Sequence, residues 1–332
     1  SHKDVNKILK IENSDIKFNT NRNDQGKRED FKGSYELHIN EILNLKHVDP
    51  DVIRKKRFKI VVDGINSSGG IIIPKLLKAL NVEVKKINCI PDGNFAHDPE
   101  PLDKNLYQLK EEVLKSNSDL GIAVDPDVDR LVFVSENGET ISEENTLISC
   151  ADYILSKEKG SAVSNLSSSM GLRDVCKMYG VEYFSSMVGE INVVEKMKSV
   201  NAIIGGEGNG GIIYPESHYG RDALVGIGLL LTSLALKNKT ISELFEKLPK
   251  YHMLKEKIKI DNDLDFINIK NKLKSTFHNF SFNEIDGLKI ENNSSWVHVR
   301  KSNTEPIIRI YIESKNKQDS KALFTAVKKA LS

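Results

Sequence analysis

Cysteine is scarce in this sequence, and the few cysteines are far apart. Only three occur among 332 residues, at Cys89, Cys150 and Cys176, and no CxxC pair is present. A structural zinc site usually has such closely spaced pairs, so the sequence argues against this class of site. We expect buried, reduced thiols of the kind found in cytosolic proteins.

The sequence also lacks an excess of either charge and any long hydrophobic run. Lys and Arg total 48 against 47 Asp and Glu, which gives a net charge of +1 and no bulk reason to expect nucleic acid or an anionic membrane as a partner. No apolar run reaches the roughly 18 residues of a membrane helix, and no signal-peptide pattern opens the chain. We expect a cytoplasmic protein that binds neither nucleic acid nor membrane.

The middle of the sequence alternates between strand and helix patterns. Hydrophobic residues make up 39% of the chain, enough for a sizeable core. Strand patterns alternate with helical patterns at 58–62, 71–80, 82–90, 105–116 and 119–127. The alternation recurs over residues 161–238 and predicts two consecutive α/β domains, at 47–157 and 158–250, with mixed, mostly parallel sheets.

The two ends of the chain have different patterns. Residues 251–332 contain alternating strand patterns and predicted helices at Asp265–Phe277 and Asp319–Leu331, which favours an α+β domain with an antiparallel sheet. Residues 1–34 are polar, and helical periodicity first appears at Tyr35–Leu45. We expect residues 1–46 to be the remnant of a preceding domain and a linker.

Three aspartates occur at alternate positions in "VDPDVDRLVFV" (124–134): Asp125, Asp127 and Asp129. An extended strand would spread them over about 13 Å, too far for one ion to bridge, so shared metal binding requires a curled loop. Pro126 favours such a curl because its ring fixes φ. Three carboxylates suit a hard cation, and Mg²⁺ is the ion that we predict.

Two other interpretations of this aspartate loop (residues 125–130) compete with magnesium binding. An EF-hand also has acidic residues at positions 1, 3 and 5, but position 6 is Arg130 where that loop needs glycine, and the flanks are strand-like. An acidic, solvated turn is the other alternative, although carboxylates between two apolar strands are costly to bury.

Two further segments carry ligand-binding chemistry. The turn in "VRKSNTEPIIR" (299–309) contains Arg300, Ser302, Asn303, Thr304 and Arg309, whose guanidinium and hydroxyl groups could bind a phosphate, although a polar hairpin is an alternative. In "IIGGEGNGGIIYP" (203–215), glycines surround Glu207 and Asn209. They could let a sugar approach the backbone, or could form only a tight turn.

Other polar residues have plain structural explanations beside a functional one. Arg221 and Asp222 precede an apolar helical segment, where Asp222 could be an N-cap. His97 lies in the loop "PDGNFAHDPEPL", and a lone histidine is more often structural than catalytic.

Together, "DPDVDR", "GGEGNGG", "GRDALVG" and "RKSNTEP", in this order, resemble the α-D-phosphohexomutase family. "VVDGINSSGG" and "PDGNFAHDPEPL" are similar to segments of the second domain of that family. The resemblance covers residues 35–332, and four ordered motifs make it specific.

The resemblance implies a four-domain enzyme that moves a phosphate between O1 and O6 of a hexose, through a phosphoserine and a hexose 1,6-bisphosphate that is both intermediate and activator. By match of position, Mg²⁺ would be held by the three aspartates, and Arg130 would support the transferred group. The substrate would be contacted by Glu207 and Asn209 at the sugar, by Arg221, and at the non-reacting phosphate by Arg300, Ser302, Asn303, Thr304 and Arg309.

Two departures from the family pattern affect these expectations. The usual sugar loop reads GExSGH, whereas Asn209 and Gly211 replace its serine and histidine here, so the preferred hexose stays open. We favour glucosamine 6-phosphate over mannose or glucose phosphates. The TASHNP-like loop with the catalytic serine does not occur in this chain, so we expect a partner in the missing N-terminal domain of the same protein and no activity from the chain alone.

Two other functions stay open on the sequence alone. A sugar-phosphate-binding protein without catalysis would explain the lack of the serine. A Mg²⁺-dependent phosphatase would need Asp125 or Asp127 as its nucleophile, and the remaining motifs would then have no role.

Overall fold

The computed structural model describes residues 2–14, 26–259, 265–302 and 306–331. The predicted ligands Asn303 and Thr304 lie outside the described residues. The chain divides into two compact units, residues 1–38 and 39–332.

Within the described residues the helices are α1 (His2–Glu12), α2 (Ser34–Leu43), α3 (Pro50–Lys56), α4 (Gly69–Ala79), α5 (Tyr107–Ser116), α6 (Glu143–Lys157), α7 (Gly171–Tyr179), α8 (Glu190–Val200), α9 (Ala223–Lys237), α10 (Ile241–Glu246), α11 (Phe266–Thr276) and α12 (Lys317–Leu331).

The strands in the described part of the chain form three sheets, and two of them are mixed as the sequence predicted. The strands are β1 (Lys59–Asp63), β2 (Glu83–Ile87), β3 (Leu120–Val124), β4 (Leu131–Ser135), β5 (Thr140–Ile141), β6 (Ala162–Asn165), β7 (Tyr183–Ser186), β8 (Ile204–Glu207), β9 (Gly211–Ile213), β10 (His252–Lys259), β11 (Ser281–Asn283), β12 (Leu288–Glu291), β13 (Ser295–Lys301) and β14 (Ile307–Ser314). The domain boundaries stay predictions.

The first sheet has the order β2-β1-β3-β4-β5. Strand β1 is parallel to β2 and to β3, whereas β3, β4 and β5 pair in antiparallel fashion. Alternate residues of β1 serve two cores: Val61 packs with Leu109 and Val113 of α5, and Ile60 packs with the larger core that includes Ile73 of α4. The tight β3–β4 connection is the aspartate loop.

The second sheet has the order β7-β6-β8-β9, with β6 parallel to β7 and β8 and with an antiparallel β8–β9 pair. Helix α9 lies in the large core that also contains residues of the first sheet, because it is apolar on all sides and buried over most of its length. The β8–β9 connection is the glycine loop (residues 207–211).

The third sheet, β10-β14-β13-β12-β11, is antiparallel throughout, as the sequence predicted. Helices α11 and α12 cover it with a separate apolar core. Strands β13 and β14 pair in antiparallel fashion, and we call residues 299–309 the arginine hairpin, of which the structure describes 299–302 and 306–309. No helix in the described ranges is long and apolar enough to cross a membrane.

Three helices were not predicted. The expectation that helical periodicity begins at Tyr35 was wrong, because α1 places Val5, Ile8 and Leu9 at helical spacing within a polar segment. Helix α3 is short and polar, and its start is marked by the N-cap Asp49 and by Pro50 at its first position. Helix α6 begins at the N-cap Ser142.

Candidate metal and sugar-phosphate site

The aspartate loop is curled, as shared metal binding requires. Its backbone turns at Val128, whose φ of +63° lies in the left-handed region. As a result, Asp125, Asp127 and Asp129 each offer one carboxylate oxygen within 4.8 Å of the others. Asp125 is buried and Asp127 is exposed, so the cluster opens on one side.

Asp125 is the anchor of this loop. Its Oδ1 accepts hydrogen bonds from the backbone N–H of Asp129 at 3.1 Å and of Arg130 at 3.0 Å. Ser68 Oγ donates to the Pro126 carbonyl at 2.5 Å and so fixes the start of the turn. Burial raises the pKa of the Asp125 carboxyl to about 7, and the adjacent Asp129 carboxyl adds to the rise.

The donor set fits a hard divalent cation. All three side chains offer carboxylate oxygen, the ligand that Mg²⁺ prefers. Oδ1 of Asp129 is buried and has no hydrogen-bond partner among the described residues, which is costly unless a cation binds it. A bound cation would also favour the ionised form of Asp125.

Arg221 connects the aspartate loop to the glycine loop. Its guanidinium donates to Asp129 Oδ2, to Glu207 Oε2 at 3.0 Å and to Glu190 Oε2 at 3.1 Å. Its side chain is only 13% exposed. The Arg221 guanidinium therefore forms ion pairs with three carboxylates. Because two of these carboxylates belong to the aspartate loop and the glycine loop, the two predicted ligand loops lie in one cleft.

The carboxylate of Glu207 is held in a fixed orientation. Its Oε1 accepts from Asn165 Nδ2 at 2.8 Å and from the Gly189 N–H at 3.1 Å. Beside it, Asn209 Oδ1 accepts from the Gly211 N–H at 3.1 Å, which leaves the Asn209 amide nitrogen as a donor.

Gly211 is required by the close approach of Arg221. A Cβ atom at position 211 would overlap Cδ of Arg221 and lie 3.0 Å from its Cγ. The departure of this sequence from the usual sugar loop thus has a physical explanation: a larger residue at position 211 would displace the arginine that bridges the two loops.

Arg130 extends the cleft towards the third sheet. Its Nη1 donates to Glu100 Oε1 at 3.2 Å, and its Nε lies 3.4 Å from Asp125 Oδ2. Glu100 in turn lines a cavity of about 520 Å³ together with Arg309 and Tyr311. The aspartate loop therefore contacts the wall of this cavity through the hydrogen bond between Arg130 and Glu100.

The arginine hairpin carries two cations in register. Arg300 on β13 lies opposite Arg309 on β14, and the Ser302 N–H donates to the Ile307 carbonyl at 2.9 Å to continue the ladder. Arg300 Nε is buried and has no hydrogen-bond partner within the described ranges. The predicted phosphate-binding role stays a prediction.

Asp222 and His97 make the structural contacts that the sequence analysis gave as the alternative to a functional role. Asp222 is the N-cap of α9, and its side chain accepts from the Leu224 N–H at 2.7 Å. His97 Nε2 lies 3.1 Å from Asp63 Oδ2, and Nδ1 lies 2.8 Å from the Asp98 carbonyl. The hydrogen bond to Asp63 raises the pKa of His97, since both ring nitrogens face acceptors.

Sequence reasoning missed the residues that support the glycine loop. Asn165 and Ser168 belong to the serine loop (residues 165–170), within the region 161–238 for which the sequence predicted only alternating strands and helices. Glu144 and Lys255 are distant in sequence but meet at Gly208. The one available signal was the density of serine and asparagine after a predicted strand.

Comparison with known proteins agrees with the motif resemblance. Residues 36–138 match "Phosphoglucomutase/phosphomannomutase, alpha/beta/alpha domain II", residues 142–251 match domain III, and residues 254–330 match the C-terminal domain.

Similar proteins with curated names are longer than this chain. A phosphoglucomutase/phosphomannomutase of Thermococcus kodakarensis is 36% identical over 82% of this chain and 60% of its own length. A phosphoglucosamine/phosphogalactosamine mutase of Sulfurisphaera tokodaii is 35% identical over 91% of this chain and 67% of its own. The chain thus spans about two thirds of these relatives.

The fold is shared with a solved structure of a phosphoglucomutase/phosphomannomutase family protein from Burkholderia thailandensis. Its TM-score is 0.78 at 24% identity, and the match covers 90% of this chain and 64% of that one. The resemblance inferred from the four motifs is therefore confirmed. The chain belongs to the phosphoglucomutase/phosphomannomutase family.

Proposed function

We propose that this chain is the metal-, sugar- and phosphate-binding part of a phosphohexomutase that interconverts hexose 6-phosphate and hexose 1-phosphate. The observation that carries the proposal is the bridge from Asp129 through Arg221 to Glu207. It brings the candidate metal loop and the candidate sugar loop into one cleft.

The proposed roles follow from the contacts. Mg²⁺ held by Asp125, Asp127 and Asp129 would neutralise the charge of a phosphoryl group. Arg130, beside Asp125, would bind oxygens of the same phosphoryl group, and Glu207 would accept hydrogen bonds from sugar hydroxyls.

The remaining substrate contacts are assigned by chemistry and position. Asn209 would donate its amide N–H groups to the sugar, and Arg221 would orient Glu207. The non-reacting phosphate would be bound by Arg300, Ser302 and Arg309, since guanidinium groups bind phosphate oxygens in pairs. We assign Asn303 and Thr304 to the same phosphate from the motif alone.

The nucleophile is assigned to a phosphoserine outside these 332 residues, and the reaction passes through a hexose 1,6-bisphosphate. We favour glucosamine 6-phosphate as the substrate, in keeping with the aminosugar named for the Sulfurisphaera tokodaii relative. Phosphomannomutase or phosphoglucomutase activity is the alternative, in keeping with the name of the Thermococcus kodakarensis relative.

The test compares this chain with a fusion in which the serine-bearing N-terminal domain of a curated relative precedes Ser1. Both are assayed with glucosamine 6-phosphate, Mg²⁺ and the matching 1,6-bisphosphate. We expect turnover from the fusion only, and its loss when the donated serine is replaced by alanine.

A folded fusion that binds glucosamine 6-phosphate without turnover would favour the sugar-phosphate-binding alternative. A chain that binds no hexose phosphate at all would contradict the proposal. Mannose 6-phosphate and glucose 6-phosphate, assayed in parallel, decide the hexose.

A further inference from the structure

We propose, on the basis of the function above, that Lys255 is a positioning residue that holds the glycine loop where Glu207 and Asn209 can contact a sugar. Lys255 lies on β10, the edge strand of the third sheet. The glycine loop belongs to the second sheet. The contact therefore joins the loop proposed to bind the sugar to the sheet proposed to bind the phosphate.

The ammonium group of Lys255 has three acceptors around it. Nζ lies 2.8 Å from Glu143 Oε1, 3.0 Å from Glu144 Oε1 and 3.2 Å from the Gly208 carbonyl oxygen. The contacts with Glu143 and with the Gly208 carbonyl are hydrogen bonds, whereas Glu144 Oε1 forms an ion pair with Lys255 and has no hydrogen-bond partner among the described residues. Lys255 also lines the 520 Å³ cavity with Arg309, so the test below has to separate a positioning role from direct contact with phosphate.

Electrostatic attraction stabilises the contact of Lys255 with Glu143 and Glu144. Burial would lower the pKa of Lys255, but the carboxylates of Glu144 and Glu143 outweigh that effect and raise it. Glu144 is only 6% exposed, and its Oε2 accepts from the Ser169 N–H at 2.8 Å. A buried carboxylate needs a paired cation, and Lys255 provides it.

Gly208 is held on three sides. A Cβ atom at this position would overlap the carboxylate of Glu144, so the backbone packs directly on that group. The Gly208 N–H donates to Ser168 Oγ at 2.9 Å, and its carbonyl accepts from Lys255. Burial raises the pKa of Glu144 to about 7, and the charge of Lys255 opposes that rise. Loss of the lysine would remove both the donor to the Gly208 carbonyl and the cation that favours ionised Glu144, so the loop would lose this anchor.

The consequence for binding depends on the kind of ligand. Lys255 pairs with Tyr311 on β14, two residues from Arg309 in the same strand. A hexose phosphate must contact the glycine loop and the arginine hairpin together, so its affinity depends on their relative position. Inorganic phosphate needs to contact only the arginine hairpin, so its affinity does not depend on the position of the glycine loop.

The test uses Lys255→Met, with the exposed Lys259→Met on the same strand as the matched control. Calorimetry with the complete 332-residue chain and Mg²⁺ gives the affinities for glucosamine 6-phosphate and for inorganic phosphate. For Lys255→Met we expect about tenfold weaker binding of the sugar phosphate, the loss of roughly one hydrogen bond to a charged group, and a change below about twofold for phosphate. Lys259→Met should change neither.

Two additional variants separate positioning from simple damage to the fold. Lys255→Arg keeps the cation and should recover most of the sugar-phosphate affinity. Glu144→Gln keeps the shape of the side chain, and we expect it to weaken sugar-phosphate binding selectively even where Lys255→Met fails to fold. Amide hydrogen exchange over residues 204–213 should be faster in Lys255→Met than in Lys259→Met.

Equal losses for both ligands would make Lys255 a phosphate ligand and overturn the inference. Unchanged affinity and unchanged exchange would overturn it as well. A wild-type chain that binds phosphate but no hexose phosphate would instead contradict the proposed function. Exchange at residues 204–213 would then still decide whether Lys255 holds the loop.

Discussion

Arg300 and Arg309 lie directly opposite each other on neighbouring antiparallel strands. Opposite residues in such a pair have Cβ atoms about 5 Å apart, so two like charges there repel each other. An anion with several oxygens relieves the repulsion and accepts paired hydrogen bonds from the two guanidinium groups. This arrangement is the reason to expect phosphate at the hairpin, whichever sugar the phosphate carries.

Arg309→Ala should weaken binding of glucosamine 6-phosphate and of inorganic phosphate alike. Hydrogen bonds to charged groups contribute about 1.5–3 kcal/mol, so we expect a loss of about 10- to 100-fold in affinity, measured by calorimetry. Lys321→Ala, which removes an exposed cation from α12 of the same unit, is the control. If Arg309→Ala and Lys321→Ala bound the two ligands with equal affinity, the hairpin would be excluded as the phosphate site.

Asp127→Asn should weaken Mg²⁺ binding without harming the fold, because Asp127 is the exposed member of the acidic cluster. Changes in the second shell of metal sites already cost about 10–100-fold in affinity, so loss of a ligand charge should cost at least about tenfold. At Mg²⁺ about 100 times the wild-type Kd, the wild type gains about 2.7 kcal/mol of stability and a tenfold weaker variant about 1.4 kcal/mol.

The measurement for Asp127→Asn is the shift of the unfolding midpoint on addition of Mg²⁺. Glu139→Gln, which alters another acidic residue close to the same sheet, should keep the full shift. A wild-type chain whose midpoint does not respond to Mg²⁺ would reject the metal assignment.

Gly211→Ala should destabilise the protein through its collision with Arg221. Overpacking of a tight site costs about 1–3 kcal/mol, and nearly all of it should disappear when Arg221 is already alanine. Urea unfolding of the wild type, both single variants and the double variant gives the coupling energy between the two positions. A Gly211→Ala cost that persists in the Arg221→Ala background would mean that the backbone, and not the arginine, requires glycine.

Local sequence pattern was sufficient for the sheet architecture and for the curled geometry of the aspartate loop. Apolar runs such as Leu120–Val124 gave buried strands, and the acidic triplet gave a curled loop, because both features depend on neighbours in sequence. The N-cap role of Asp222 could be predicted for the same reason, because its side chain bonds to backbone groups two and three residues further along the chain.

Contacts between distant segments could not be predicted in this way. Lys255 looks like an ordinary polar residue on an alternating edge strand, and Glu144 like a common acidic residue in the first turn of a helix. Their roles exist only because the fold brings both to Gly208. Similarly, nothing in "GRDALVG" indicates that Arg221 meets Asp129 and Glu207.

His298 provides a test of how the third sheet packs on the serine loop. Its imidazole is 1% exposed, Nδ1 lies 2.8 Å from Ser167 Oγ, and Nε2 lies 2.6 Å from the Asp286 carbonyl. The carbonyl can only accept, so Nε2 carries the proton and Nδ1 accepts from the serine. Burial lowers the pKa of His298 to about 4, so the native protein holds this ring neutral.

The lowered pKa of His298 determines how its contribution to stability changes with pH. The unfolded chain protonates the histidine below its ordinary pKa of about 6.5, whereas the native state does so only near 4, so the contribution of His298 to stability is lost as pH falls between these values. The raised pKa of Asp125 acts in the opposite direction over the same pH range, so the quantity to compare is the difference in free energy of unfolding between the wild type and His298→Gln, whose amide nitrogen can still donate to Asp286. This difference should change by about 3 kcal/mol across the range, at the expense of the wild type. Urea midpoints measured across this pH range, with the titration of the His298 ring followed by NMR, check both points. A His298 ring that titrates near its ordinary pKa would show that water reaches the junction, and the contact between the serine loop and the third sheet would then be looser than the structure has it.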